Sequence, residues 1–252
     1  MDLVIFKVGA AVAIFLVALV GAVLARRLTE RSSDGVVLSI ANCFAGGVFL
    51  AAGLIHVLPD AQAQLATVFP TMDYPLFGLL ATAALALMVI IDQIGHRGSV
   101  GENSAVSAAV LFLVLSIHSL ITGFALGIED QSVTALALLI AVLAHKGTAT
   151  FALGLKVSPV SQHAKQFFGR MLAFSLTTPI GVLLGLWMLN RLSASNGPLV
   201  EGVFDALAAG TFIYVAVFEI LSKEFRARGR DSAKAIAMVL GAALMALVAL
   251  WT

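Results

Sequence analysis

Long apolar stretches separated by short polar connections run along the whole chain. A membrane-spanning helix needs roughly 20 mostly apolar residues, and eight stretches of this kind can be counted. Membrane barrel strands would instead alternate apolar and polar residues over about ten positions. The pattern predicts an all-α polytopic membrane protein in which residues 1–252 form a single transmembrane domain. The predicted spans cover residues 3–25, 36–58, 75–94, 105–128, 133–155, 167–189, 200–221 and 233–251.

Composition places the chain in a lipid bilayer. Hydrophobic residues make up 60% of it and charged residues 12%, whereas soluble domains carry roughly 25% charged residues. We expect an integral protein of the plasma membrane, or of the inner membrane if the source is bacterial. No run of Lys or Arg suggests nucleic-acid binding, and the single cysteine, Cys43, excludes a disulfide within one chain. No prosthetic group is expected.

Basic residues are concentrated in the connections that follow the odd-numbered spans. These connections hold 12 of the 15 Lys and Arg residues, whereas the connections after even-numbered spans hold only Arg191. Because Lys and Arg accumulate on the cytoplasmic side of membrane proteins, the odd-numbered spans are predicted to end in the cytoplasm. Both termini are then predicted to be extracytoplasmic.

The second and seventh spans resemble each other when the chain is aligned with itself so that Ala45 falls on Ala208. Gly47 then aligns with Gly210, and His56 with Glu219. The same offset pairs the first span with the sixth and, roughly, the third with the eighth. Paired spans run in opposite directions, which predicts an inverted repeat of spans 1–3 and 6–8 in a 3+2+3 arrangement, a feature of many secondary transporters. Chance similarity between apolar helices is the alternative.

Two histidines lie near the middles of the fourth and fifth spans. His118 precedes Glu129 by about three helical turns, and His145 follows Ser132 by about three and a half. Because these two spans form a hairpin, the depths of the histidines differ by only a few ångströms. Ionisable groups at such depth rarely face lipid, and imidazole is the commonest metal-ligating side chain. The pair therefore predicts a metal site inside the membrane, although a lone intramembrane histidine is often structural.

Polar neighbours surround this predicted site. Thr122 lies one helical turn after His118 on the same face, so its oxygen can hydrogen-bond or ligate weakly. Ser119 alone indicates little, because serine commonly bonds its own helix backbone. Lys146 must be paired, neutral or in a wet cavity. It is interpreted either as a fixed charge in place of a second cation or as a structural partner.

Three further ionisable residues lie near the predicted ends of their spans. His56 and Asp60 fall at the outer end of the second span, and Glu219 at the inner end of the seventh. Because the repeat makes His56 and Glu219 equivalent, we interpret them as pathway residues at opposite mouths. Snorkelling of polar groups to the interface is the alternative, most of all for Asp60.

Four segments carry a resemblance to a known family. The segments are HSLITGFALG (118–127), AHKGTATFALGLK (144–156), FAGGVFLAAGLIHVLPD in the second span and AAGTFIYVAVFEIL in the seventh. Through them, and across all eight spans, the chain resembles the ZIP (Zrt/Irt-like) family of divalent metal transporters, in particular the branch with His-Lys in the fifth span. The resemblance implies zinc uptake toward the cytoplasm by an alternating-access or elevator-like motion of the helices that bear the site.

The resemblance also assigns residues. The family's primary metal site falls on His118 and His145, and its second metal position falls on Ser119 and Lys146, so that lysine implies a single-metal site here. The family's fourth-span carboxylate falls on Thr122, and the fifth-span carboxylate of some members is absent too. Without an anionic ligand, the expected affinity for zinc falls.

The leading hypothesis is a divalent-cation importer for zinc, with iron, manganese or another first-row ion as alternatives because imidazole binds several of them. His118 and His145 would bind the ion, and Ser119 or Thr122 with water would complete the shell. A relative that senses metal or scaffolds partners without transport is a rival, motivated by the missing carboxylate. An intramembrane metal hydrolase is disfavoured, since no Asp or Glu lies within a helical turn of either histidine; no enzyme is expected. Small-xxx-small faces allow a homodimer without requiring one.

Overall fold

A computed structural model describes residues 3–31, 35–97, 104–188, 197–227 and 229–250. Within them, eight helices are long and apolar enough to cross a membrane, which confirms the predicted all-α architecture with eight spans. The helices are α1 (Leu3–Arg31), α2 (Gly35–Val68), α3 (Leu76–Arg97), α4 (Ser104–Ile128), α5 (Ser132–Val157), α6 (Ala164–Met188), α7 (Gly197–Arg226) and α8 (Asp231–Val248).

The second helix departs most from its predicted bounds. It continues past the predicted end at residue 58 to Val68, although it contains Pro59 and proline is normally disfavoured inside a helix. A π-helical turn covers Ala52–Val57 directly before this proline, and the Leu58 N–H bonds Gly53 O. The wider turn shifts the hydrogen-bond register, so the proline ring is accommodated and the helix goes on.

The second helix and the seventh carry related features. The seventh helix has its own π-helical turn, which begins at Val215, whereas the turn of α2 begins at Ala52. Ala52 aligns with Val215 at the same offset that aligns Gly47 with Gly210. Gly47 of α2 packs against the backbone of α8 at Met238, and Gly210 of α7 packs against the backbone of α3 at Ala81. The pairings α2 with α8 and α7 with α3 thus depend on equivalent glycines.

The helices pack as two groups of four. Helices α1, α4, α5 and α6, here called the first bundle, share their most extensive contacts with one another. Helices α2, α3, α7 and α8, the second bundle, do the same. In the first bundle Gly123 and Gly181 let α4 and α6 meet backbone to backbone, because a Cβ on either would overlap a carbonyl of the other helix.

The largest apolar core lies where the two bundles meet. Leu115, Leu153 and Phe174 enter it from the first bundle, and Phe49 and Phe212 from the second. Polar side chains buried in this region are therefore held by both bundles at once.

Candidate metal site between the two bundles

The imidazoles of His118 and His145 face a common space. Their ring centroids are 5.9 Å apart, and both residues are only 6% exposed. The hairpin of α4 and α5 thus brings together the two side chains that were paired by their depth in the sequence. Phe212 of the second bundle packs edge-on against His118 at 4.4 Å between ring centroids, and so closes one side of the space.

A third imidazole, from the second bundle, joins this pair. The ring of His56 lies 6.1 Å from that of His145, and His56 is 8% exposed. Because α2 continues to Val68, His56 lies well inside the helix and not at its end; its role on the outer side of the pathway remains a prediction. His145 therefore lies between two other histidines, one from each bundle.

The ring nitrogens of His118 are placed asymmetrically. Thr122 Oγ1 lies 3.2 Å from Nε2 and donates its hydroxyl hydrogen to His118 O at 2.9 Å. Since a hydroxyl has one hydrogen, its oxygen is left to accept from an Nε2–H. Nδ1 of His118 then carries the lone pair. Neither this buried atom nor Nδ1 of His145 has a hydrogen-bond partner in the described residues.

The Lys146 ammonium group is bound by neutral groups. Its Nζ donates to Ser119 Oγ at 2.8 Å and to Phe174 O at 3.5 Å, and it lies 3.8 Å from the centroid of the Phe174 ring. Lys146 is 2% exposed, so the oxygens and the aromatic face replace water around it. The Ser119 oxygen thus faces the lysine.

Asp60 is the neighbour of His56 on the side of the site toward the α2–α3 connection. Its Oδ2 lies 3.1 Å from His56 Nδ1, and its side chain is 41% exposed. Carboxylates in this position orient metal-binding imidazoles. Two further acids of α7, Glu201 and Asp205, lie near Asp60, with charges close enough to interact, and Gln64 donates to Glu201 at 2.9 Å. Neither acid was among the residues predicted from the sequence, although two acids on one helix face at the start of a span are a recognisable pattern.

Glu219 lies on the opposite side of the histidines and is engaged by basic residues. Its Oε2 lies 3.4 Å from Lys156 Nζ and 3.2 Å from Lys223 Nζ, and Tyr214 donates to Oε1 at 3.5 Å. Lys156 also donates to the Glu219 backbone carbonyl at 3.1 Å. Because Lys156 belongs to α5 and Glu219 to α7, this contact joins the two bundles. The sequence interpretation did not single out Lys156.

The histidines form an open arrangement. Among the described residues no three His, Cys, Asp or Glu side chains are close enough to enclose a metal ion. Two imidazoles on one zinc ion have ring centroids about 5 Å apart, given Zn–N bonds of about 2.0–2.1 Å. The observed separations of 5.9 and 6.1 Å are therefore about 1 Å too long for a closed site, a distance that small side-chain movements can cover.

The sequence matches one family model over nearly its whole length and is similar to several named proteins. A family model described as ZIP zinc transporter matches residues 2–104 and 95–249. A relative named zinc transporter ZIP1 from Takifugu rubripes is 27% identical over 95% of this chain and 96% of its own length. Human zinc transporter ZIP1 is 30% identical over 82% of this chain and 76% of its own length, and mouse zinc transporter ZIP2 is 27% identical over 85% and 86%. The chain belongs to the ZIP zinc transporter family.

Proposed function

We propose that this protein carries divalent metal cations, zinc in the first place, across the plasma membrane toward the cytoplasm. The observation that carries the proposal is the pair of buried imidazoles, His118 and His145, which face a shared space and whose Nδ1 atoms have no hydrogen-bond partner among the described residues. A buried polar atom without a partner is costly. A metal ion bound by both atoms would remove that cost.

Each neighbour of the pair has a distinct role in this proposal. Thr122 holds the tautomer of His118 in which Nδ1 is free, and so positions a ligand more than it acts as one. Ser119 and Lys146 occupy the place of a second cation, and the ammonium group repels further ions. The site therefore holds one ion at a time.

His56 contributes a third nitrogen from the second bundle, and Asp60 orients it. The metal then lies between the bundles, with two ligands on the first and one on the second. If the first bundle moves against the second, the site loses His56 and the ion is less firmly held. This split supports an alternating-access or elevator-like mechanism in which the first bundle carries the ion.

Charge along the route favours inward passage of cations. Three acids, Asp60, Glu201 and Asp205, lie on the outer side, where carboxylates attract cations. At the site, neutral imidazoles and Lys146 keep the affinity moderate, which permits release. Glu219 offers an anionic stopping point on the inner side once its lysines part from it.

We further infer that α1–α3 and α6–α8 form an inverted repeat around the α4–α5 hairpin. The support is the common offset of the two π-helical turns and of the packing glycines Gly47 and Gly210. The charge bias of the connections supports extracytoplasmic termini.

Uptake by proteoliposomes tests the function. Vesicles containing the protein and a zinc-sensitive dye are expected to accumulate zinc faster than empty vesicles, with competition by other first-row divalent ions. A relative that only senses metal is the second candidate, favoured by the absence of an anionic ligand at Thr122. Binding without flux for every metal tested would support the sensor and contradict the transporter. A hydrolase is not proposed, since such enzymes need firm zinc ligands and a general base.

The contact between Lys156 and Glu219 predicts an inner latch between the bundles. Replacing Lys156 with methionine is expected to increase the equilibrium constant for opening toward the inner side about 5-fold, because a partly exposed ion pair is worth about 1 kcal/mol. The reporter is Ala152→Cys in a Cys43→Ser background. Residue 152 lies between His145 and Lys156 on α5, so labelling of its thiol reports how often the space between the bundles is open to the inner side. Its labelling by a charged thiol reagent from the inner side should accelerate.

The matched control for this latch is Lys165→Met. Lys165 is an exposed basic residue at the same end of the molecule. The control should leave labelling unchanged. Equal labelling rates in the Lys156 variant and the parent would show that the pair does not hold the bundles together.

A further inference from the structure

An apolar groove of about 700 Å³ lies on the outside of the molecule where the bundles meet. Helices α1 and α5 form one wall, through Val17, Gly21 and Gly147 among others, and α2 and α8 form the other, through Phe44 and Leu240. Gly21 and Gly147 bring α1 and α5 backbone to backbone. The groove is therefore a channel along the helices, open to the surrounding lipid.

The lining offers no group to a polar ligand. Thr148 is the polar side chain among the lining residues, and its hydroxyl donates back to His145 O at 2.8 Å. Several of the lining residues are well exposed, among them Leu24 at 52% and Leu240 at 58%. At membrane depth such a surface fits a hydrocarbon chain.

Positive charge continues the groove at its basic end. On α1, Val20 and Leu24 line the groove, and Arg27 and Arg31 follow them at a spacing of about two helical turns, on the same face. Both arginines are exposed. The neighbouring acid Glu30 is engaged by Arg26 at 2.6 Å.

Helix α2 enters the groove at the same end. Helix α2 begins at Gly35, just before the lining residue Val37. The apolar groove thus ends beside two exposed arginines of α1.

We propose that this groove binds one anionic phospholipid, with an acyl chain between α1, α2, α5 and α8 and its phosphate at Arg27 and Arg31. The headgroup lies in the leaflet at the basic ends of the helices. Anionic lipid is attracted about 5-fold more strongly for each basic residue near the surface. The partner is thus an anionic lipid in preference to a neutral one.

The position of the groove implies that a bound lipid affects the relative position of the two bundles. It lies behind the helix that carries His145 and touches both bundles, so a bound lipid stabilises one relative position of the bundles. This consequence rests on the proposed function, whereas the binding of lipid does not.

Native mass spectrometry of the delipidated full chain tests the binding directly. The probes are phosphatidylglycerol and phosphatidylcholine with identical acyl chains. The parent protein should bind one phosphatidylglycerol at least about 10-fold more tightly than phosphatidylcholine. The double variant Arg27→Gln/Arg31→Gln should lose about 20-fold in affinity for phosphatidylglycerol, and Ala41→Phe, which fills the groove, should lose binding of both lipids.

Two controls match these variants. Lys165→Gln removes an exposed basic residue at the same end of the molecule, and Leu183→Phe enlarges a lipid-facing side chain of α6 that does not line the groove. Both should bind lipid as the parent does. Equal affinity for the two lipids, or an unchanged affinity in the double arginine variant, would overturn the proposal. A dimer peak that is present in the parent and lost in Ala41→Phe would also overturn it, because a second copy of the chain, and not a lipid, would then occupy the groove.

A transport measurement tests whether the bound lipid affects zinc uptake, separately from whether the lipid binds. Zinc uptake in vesicles with phosphatidylglycerol should differ from that in pure phosphatidylcholine for the parent, and not for the double arginine variant. Lipid binding with no flux in any vesicle would leave the lipid site standing and remove the proposed function instead. Equal uptake in both vesicle types, with lipid bound, would remove the consequence alone.

Discussion

Replacing His118 and His145 together with alanine is expected to lower zinc uptake into proteoliposomes by at least about 100-fold. Loss of an outer-shell partner already costs about 10–100-fold in metal affinity or activity, and this change removes two direct ligands. The two rings lie 5.9 Å apart, and neither Nδ1 has a hydrogen-bond partner in the part of the chain that the structure describes, so each single variant should already lose most of the flux. The measurement is the initial rate of zinc entry at equal amounts of reconstituted protein.

The control for this double variant is His163→Ala, which removes an exposed histidine outside the site. It should keep the parent rate. Because alanine leaves cavities in a packed region, circular dichroism and thermal unfolding establish that the double variant is folded. A folded double variant with undiminished uptake would remove both residues from the site.

Replacing Thr122 with glutamate is expected to tighten zinc binding by about 10-fold or more and to change the order of preference among divalent ions. A carboxylate one helical turn from His118 brings a negative charge to a site that otherwise has neutral nitrogens: it accepts the Nε2–H of His118 and so strengthens Nδ1 as a ligand, and its longer side chain can also reach the ion. It also offsets the charge of Lys146. Isothermal titration with zinc, cadmium and manganese measures both effects.

Thr122→Gln is the matched control for this substitution. Glutamine has nearly the shape of glutamate without its charge, so it should leave zinc affinity at or below that of the parent. Tighter binding should also slow release, and the maximal uptake rate of the glutamate variant is expected to fall. If both variants bind zinc equally well, the charge at this position does not reach the ion.

The span count and the depth of the histidines could be predicted from the sequence because both depend on local properties. A long apolar stretch must be helical in a bilayer, and residues at equal distance from a short hairpin must lie at similar depth. His118 and His145 satisfy that rule, and the structure brings their rings together. Their role as metal ligands remains a prediction.

The position of His56 could not be predicted from local rules. Leu58-Pro59 is typical of a helix end, and the π-helical turn that accommodates Pro59 has no clear signature in the sequence. Placing His56 beside His145 also requires knowledge of which helices pack together. The same is true of Lys156 and Glu219, which lie on different helices and meet across the two bundles.

The groups that contact Lys146 could not be predicted from the sequence either. A buried lysine was expected to need a partner, and the nearest carboxylate was not evident. The structure satisfies the ammonium group with Ser119, a backbone carbonyl and the ring of Phe174. These partners lie on two other helices, α4 and α6, so packing rather than sequence spacing determines them.

Zinc K-edge X-ray absorption of the zinc-loaded protein identifies the ligands of the ion directly, because imidazole rings give a distinct multiple-scattering signal. We predict three imidazole nitrogens at about 2.0–2.1 Å in the parent and two in His56→Ala. A shell of oxygen ligands with at most one imidazole, unchanged by the His56 substitution, would show that these histidines do not hold the ion.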